Sequence, residues 1–293
     1  MTEGSGPDDP AGNRTARFAW VAVGVILIGV IVLVVYALTR PTTTQEAARR
    51  ATTSPDVVAA MAKVPPSTFD AVGITSPSNE LTPPTVLHGQ LPLTSQGKPE
   101  VLFVGTEFSP FCAAERWPLI VALSRFGHFA TLFDTQSAPN SVFPDIQTFS
   151  FDGTSYVSPY LTFTGVELYS DTLNDQGTFT KIASLTPEQS ALVARYGAAG
   201  TAGPAGSTPF VDIANTMTAS TSGFSPVALV HESQATIAGD LAHAADPPSP
   251  TGQAVVAAAN QLTAGLCVAT GQHPAAVCSS KGVRAATAAL ELS

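Results

Sequence analysis

Charge is scarce in this 293-residue chain: charged residues make up 12% against 44% hydrophobic, about half the usual charged share. Basic residues are the rarer sign, 13 Lys and Arg against 22 Asp and Glu, for a net charge of -9. Such a chain has no basic face with which to release phosphate counterions, which argues against nucleic acid as a partner. Only three Cys are present, too few for a disulfide-stapled scaffold or a zinc ribbon. The five His form no H-x-x-x-H pair and no Cys/His set with zinc spacing, so no metal is expected. There is no G-x-S-x-G nucleophile elbow, no phosphate loop and no G-x-G-x-x-G turn, so no cofactor is expected. The 24 Pro and 23 Gly are too few and too aperiodic for a low-complexity chain.

What is present begins with a long apolar run. Phe18 to Leu38 holds no charge over 21 positions. Its Val, Ile, Leu and Phe favour insertion by roughly 4–8 kcal/mol, and at 1.5 Å per residue it spans about 30 Å, the thickness of a hydrocarbon core. Trp20 and Tyr36 mark its ends. The run is too long for a signal-peptide core, and Leu38-Thr39-Arg40-Pro41 is a poor cleavage site. The expectation is one uncleaved transmembrane helix in a lipid bilayer, in preference to a cleaved leader or a buried helix. Arg14 and Arg17 before the span balance Arg40, Arg49 and Arg50 after it, so charge does not set the orientation.

Residues 1–17 read as a disordered tail, 39–53 as a linker, and 54–293 as one domain with enough chain for a well-buried core. Within it, Val101 to Gly105 is continuously apolar, as in a strand covered on both faces. Ser109-Pro110 reads as N-cap and N1 of a helix running to about Phe126. Leu119, Ala122, Leu123 and Phe126 share one face of it, and Pro118 should kink it. Thr131 to Asp134 reads as a second strand. Ile146 to Phe151 and Leu161 to Tyr169 read as an extended pair joined by a longer loop. A helix from Thr186-Pro187 to Tyr196, an Ala/Gly loop to Gly206 and a strand after Pro209 follow. Helices near 233–244, 252–270 and 282–292 complete an α/β chain. The stripe Val255, Val256, Ala259, Leu262 and Leu266 in the middle one reads as core.

The strand-to-helix junction reads Glu107-Phe108-Ser109-Pro110-Phe111-Cys112, which resembles the redox site of the thioredoxin fold, where C-x-x-C stands. Thr208-Pro209-Phe210 resembles that fold's cis-proline segment. Pro209 follows Cys112 by 97 positions, which fits a thioredoxin-like fold with an inserted segment, as in periplasmic disulfide oxidoreductases. A closer resemblance is to a membrane-anchored family known as domain of unknown function 929. It is carried by Phe103-Val104-Gly105, by Glu107-Phe108, by Pro110-Phe111-Cys112-Ala113-Ala114-Glu115-Arg116-Trp117, and by Val121 to Gly127. Ser158-Pro159-Tyr160, Pro209 to Asn215, Cys267 and the Gly271–Cys278 stretch add to it. The expected fold is thus α/β, thioredoxin-like, with an insertion and C-terminal helices behind one transmembrane helix.

The resemblance implies Cys where this chain has Ser109. A serine caps the helix but forms no disulfide, so dithiol catalysis is expected to be lost. Cys112 is then either a residual monothiol that exchanges with a partner's disulfide or an inert buried hydrophobe. Cys267 and Cys278, eleven apart across Gly271 and Pro274, are expected to pair, against a second redox pair or two reduced thiols. A disulfide places the domain outside the cytoplasm. Glu115-Arg116 reads as a capping and salt-bridging pair, or as groups tuning the site. The expected function is binding or scaffolding of an extracytoplasmic polypeptide in a groove around Ser109, Thr208 and a cis Pro209. The alternative is thiol–disulfide exchange through Cys112.

Overall fold

Ser-Pro and Thr-Pro pairs open four of the helices, because proline at the first helical position gives up only an amide that has no partner there anyway. Ser109 accepts from Cys112 N–H, Ser249 accepts from Gly252 N–H, and Thr186 forms a complete capping box with Gln189. Ser54-Pro55 opens a helix with no side-chain cap bond. The structure, a computed structural model, describes residues 51–197, 208–242 and 248–292. The expected tail 1–17, span 18–38 and linker residues 39–50 lie outside the described residues, as does most of the Ala/Gly loop. Among the described residues no helix is long and apolar enough to cross a membrane.

In chain order the helices are α1 (Pro55–Ala62), α2 (Pro66–Val72), α3 (Pro110–Leu123), α4 (Pro187–Tyr196), α5 (Gln234–Ala242), α6 (Pro250–Ala269), α7 (Ala275–Cys278) and α8 (Lys281–Ala289). The strands are β1 (Thr85–Val86), β2 (Thr94–Ser95), β3 (Lys98–Gly105), β4 (His128–Gln136), β5 (Gln147–Val157), β6 (Thr162–Glu167), β7 (Tyr169–Leu173), β8 (Phe179–Lys181), β9 (Phe210–Ile213) and β10 (Met217–Ala219). The architecture is mixed α/β.

β3 is the centre of the main sheet. β6 lies parallel on one side, with Val101 opposite Phe163 and Gly105 opposite Glu167. β9 lies antiparallel on the other, with Val101 opposite Ile213 and Val104 opposite Phe210. β10 is antiparallel to β9, and short β1 and β2 extend the sheet. Alternation along β3 sends Val101 and Phe103 into the core with α3 and α6. It sends Leu102 and Val104 to the opposite face with Phe210 and Val193 of α4. Both faces are covered, which is why β3 is apolar without interruption.

Three expectations change. Every residue of α3 but Phe111 is buried, so the helix has no solvent face; α6 and β5 both pack against it. It ends at Leu123, and Pro118 sits inside it without stopping it, leaving the Ala114 carbonyl without its helical donor. The segments read as one extended pair separate: β5 pairs antiparallel with β4, while β6 joins β3. The linker also ends earlier than Thr53. Thr53 is buried, donates its backbone N–H to Leu132 and its hydroxyl to Asp134, and Ala51 accepts from Asp134 N–H. Those bonds make residues 51–53 a rider on β4, and the compact unit starts at Ala51.

Candidate functional site around Ser109

The turn from β3 into α3 carries Thr106 to Ser109. Ser109 takes extended backbone angles (φ -80°, ψ 126°) and its Oγ accepts from Cys112 N–H at 3.3 Å. That bond satisfies one of the helix's open amides. Ser109 is half-buried, whereas Cys112, one turn on, has no exposed surface. Its Sγ accepts from Thr106 N–H at 3.5 Å. The sulfur therefore packs under the turn and is sealed from solvent.

Thr208–Pro209 is a cis peptide. The register sets Phe210 opposite Val104, so one step further the Thr208–Pro209 segment meets the C-terminal end of β3, the end of the sheet from which the chain turns to Ser109. Pro209 itself is buried and Thr208 is half-buried. A groove of about 320 Å³ does open at Ser109, and Thr208 and Pro209 are not among its walls. It runs instead between the start of α3, the loop after β4 and β8, walled by Phe108, Phe111, Val142 and Phe179 with Ser109 and Asn140. Phe108 and Phe179 stack at 4.0 Å with their planes 10° apart. Phe111 is 38% exposed and Val142 is 74% exposed. No charged residue lines the groove.

Behind it lies buried charge. Arg116 donates Nε to Glu167 Oε1 at 3.0 Å, Nη2 to Glu167 Oε2 at 2.8 Å, and Nη2 again to the Thr106 carbonyl at 3.0 Å. Burial alone would lower the guanidinium pKa; Glu167, Cys112 and Glu107 outweigh it and hold it above the ordinary value. Glu107 accepts from the Ser150 hydroxyl. Glu115 points elsewhere: it accepts from Gly223 N–H at 2.8 Å, and burial, only partly offset by that bond, pushes its pKa up to about 8. The expected Glu115-Arg116 pair is thus two separate interactions, because neighbours on a helix point about 100° apart.

Glu167 and Ser150 were not singled out by the sequence reading. The signal for a partner was there: Arg116 cannot reach its helix neighbour Glu115, so in a largely apolar helix it requires another buried acceptor. Its identity depended on β6 pairing parallel to β3, which brings position 167 beside 105.

Cys267 at the end of α6 is bonded to Cys278 of α7, with 5.5 Å between their Cα atoms. The chain's three Cys are thereby one disulfide and one buried free thiol. Cys112 has no second thiol to resolve a mixed disulfide. Among the described residues no group of three or more His, Cys, Asp or Glu is placed to hold a metal ion.

No curated protein and no solved structure matches the chain. A family model for a domain of unknown function (DUF929) matches residues 85–267, more than half of the chain and the whole stretch from β1 to Cys267. By that match the chain belongs to the DUF929 family.

Proposed function

We propose that this chain is a thioredoxin-like, polypeptide-binding module, held at a membrane by residues 18–38, that has given up dithiol chemistry. The order β10–β9–β3–β6, with β6 parallel to β3 and the other two alternating, supports the thioredoxin-like reading. So do α3 and α6 on one face and α4 on the other. The β4–β5 pair between α3 and β6 fits the inserted segment. The Cys267–Cys278 bond favours an extracytoplasmic position for the domain.

The observation that carries the binding reading is the pairing of Ser109 with an uncharged, Phe-walled groove over a sealed Cys112. A serine at the helix cap keeps the turn in shape without a nucleophile. The exposed Phe111 and Val142 offer apolar area that an extended chain can cover. Exchange through Cys112 is the weaker alternative, since thiolate attack needs an open approach to sulfur.

The test is a titration of the full chain with reduced, alkylated insulin B chain, a permanently unfolded polypeptide. Binding should be weakened by Phe111→Ser and Val142→Ser, both on the surface and tolerable to the fold. Absence of binding, or equal binding by both variants, removes the groove from the account.

A further inference from the structure

The backbone around the Ser109 groove has spent its acceptors. The Phe108 carbonyl takes Ala138 N–H at 2.9 Å, the Ser109 carbonyl takes Ala113 N–H at 2.9 Å, and the Ala138 carbonyl takes Ser141 N–H at 3.0 Å. Ser141 in turn donates its hydroxyl to the Phe143 carbonyl at 2.8 Å. An extended ligand that turned amide N–H groups into this groove would take them out of water and find each of these oxygens engaged. A buried donor without a partner costs more than a made hydrogen bond returns.

Donors are the groups left over. Ser109 Oγ accepts from Cys112 N–H, which leaves its own hydrogen unused by the cap. Asn140 is exposed on the groove wall and brings an amide with two N–H donors and one oxygen. The remaining walls are aromatic faces and edges: Phe108 stacks on Phe179, and Phe111 meets Phe143 with ring centroids 6.2 Å apart and planes at 77°. Charge is matched to neither sign. None of the lining residues is charged, in a chain of net charge -9. An acidic segment is repelled by that net charge, and a basic one would lose water without gaining a partner in the groove.

We propose that the groove takes uncharged, proline-rich segments held as a polyproline II helix. The proposal rests on the polypeptide-binding reading above and narrows its ligand. Proline has no N–H to leave unmet, its ring packs on aromatic walls, and its carbonyl accepts from Ser109 or Asn140. The polyproline II form exists before binding, so little chain entropy is lost.

The experiment is calorimetric titration of the full chain with a capped proline dodecamer and, separately, a capped alanine–serine peptide of equal length. The proline peptide should bind about tenfold tighter. Asn140→Ala, an exposed change, should weaken the proline peptide about fivefold, as loss of one neutral hydrogen bond does, and leave the far-UV circular dichroism unchanged. Equal affinity for the two peptides overturns the proline preference, as does a proline affinity that neither Asn140→Ala nor Phe111→Ser alters. If insulin B chain still binds in either case, general polypeptide binding survives; if neither it nor the peptides bind, both readings fall. A wild-type dimer in sedimentation that Val142→Ser dissociates gives the groove to a second copy and overturns the proposal too.

Discussion

Arg116 and Glu167 meet in a two-point contact, both side chains without exposed surface, and the same guanidinium holds the Thr106 carbonyl. One residue is on α3 and the other ends β6, so the pair clamps the motif-bearing turn to the parallel strand.

Breaking that clamp from one side should be costly. Glu167→Leu or Arg116→Met leaves a lone buried charge, and should lower the unfolding free energy by about 3–5 kcal/mol. The double change Arg116→Met with Glu167→Leu should lose less than the sum, since neither charge then stays behind. Urea unfolding of the four proteins decides it. A single variant within about 1 kcal/mol of wild type would show that the pair contributes little.

Ser109 is the second target. Ser109→Ala removes the cap bond to Cys112 N–H and should cost about 1 kcal/mol. Ser109→Cys puts a thiol at the helix N-terminus, where the dipole and open amides stabilise a thiolate. That variant should gain insulin-reducing activity with dithiothreitol, above the wild-type background. If it gains none although a 109–112 disulfide forms, the surroundings of the motif, and not the missing sulfur alone, prevent catalysis.

Local signals carried most of the fold's legibility. Ser109-Pro110 and Thr186-Pro187 fix helix starts through cap chemistry that involves only near neighbours, so they can be read from the sequence. The apolar run from Val101 declared β3 for the same reason. The Ser109 cap and the cis Thr208–Pro209 peptide were legible for the same local reason. The groove was not. Val142 and Phe179 are 33 and 70 positions from Ser109 and reach it only because the β4–β5 and β7–β8 pairs fold back over the start of α3. Glu167 was hidden likewise, its role fixed by strand register. α2 has no Ser or Thr cap to announce it: Pro65 precedes Pro66, the first residue of the helix.

Stability should fall as pH rises, and Glu115 is the cause. Its folded pKa stands at about 8 against an ordinary 4.5, so between those values the folded state keeps a proton that the unfolded state has released. Stability is full below about pH 4.5 and is lost as pH climbs through 8, by on the order of 4–5 kcal/mol. Asp212, raised to about 6, acts in the same direction over a lower window. Glu115→Gln keeps an acceptor for Gly223 N–H and removes the proton. Its unfolding free energy should therefore be nearly flat from pH 6 to 9 where wild type declines. Parallel profiles for the two proteins would mean that Glu115 titrates normally.

Cysteine accounting offers the sharpest check on thiol chemistry. Cys267–Cys278 closes an eleven-position loop, so Cys267→Ser with Cys278→Ser should cost about 3 kcal/mol in the chain-entropy view. Cys112 lies sealed under Thr106 N–H. Native protein treated with iodoacetamide should carry no adduct by intact mass. Unfolded, unreduced protein should carry one, and unfolded, reduced protein three. The buried-thiol reading and the disulfide are tested by different steps of that series. An adduct on the native protein would expose Cys112 to partners and restore monothiol exchange as the better account of the site. Two extra adducts before reduction would instead remove the Cys267–Cys278 bond, and with it the support for the proposed extracytoplasmic position.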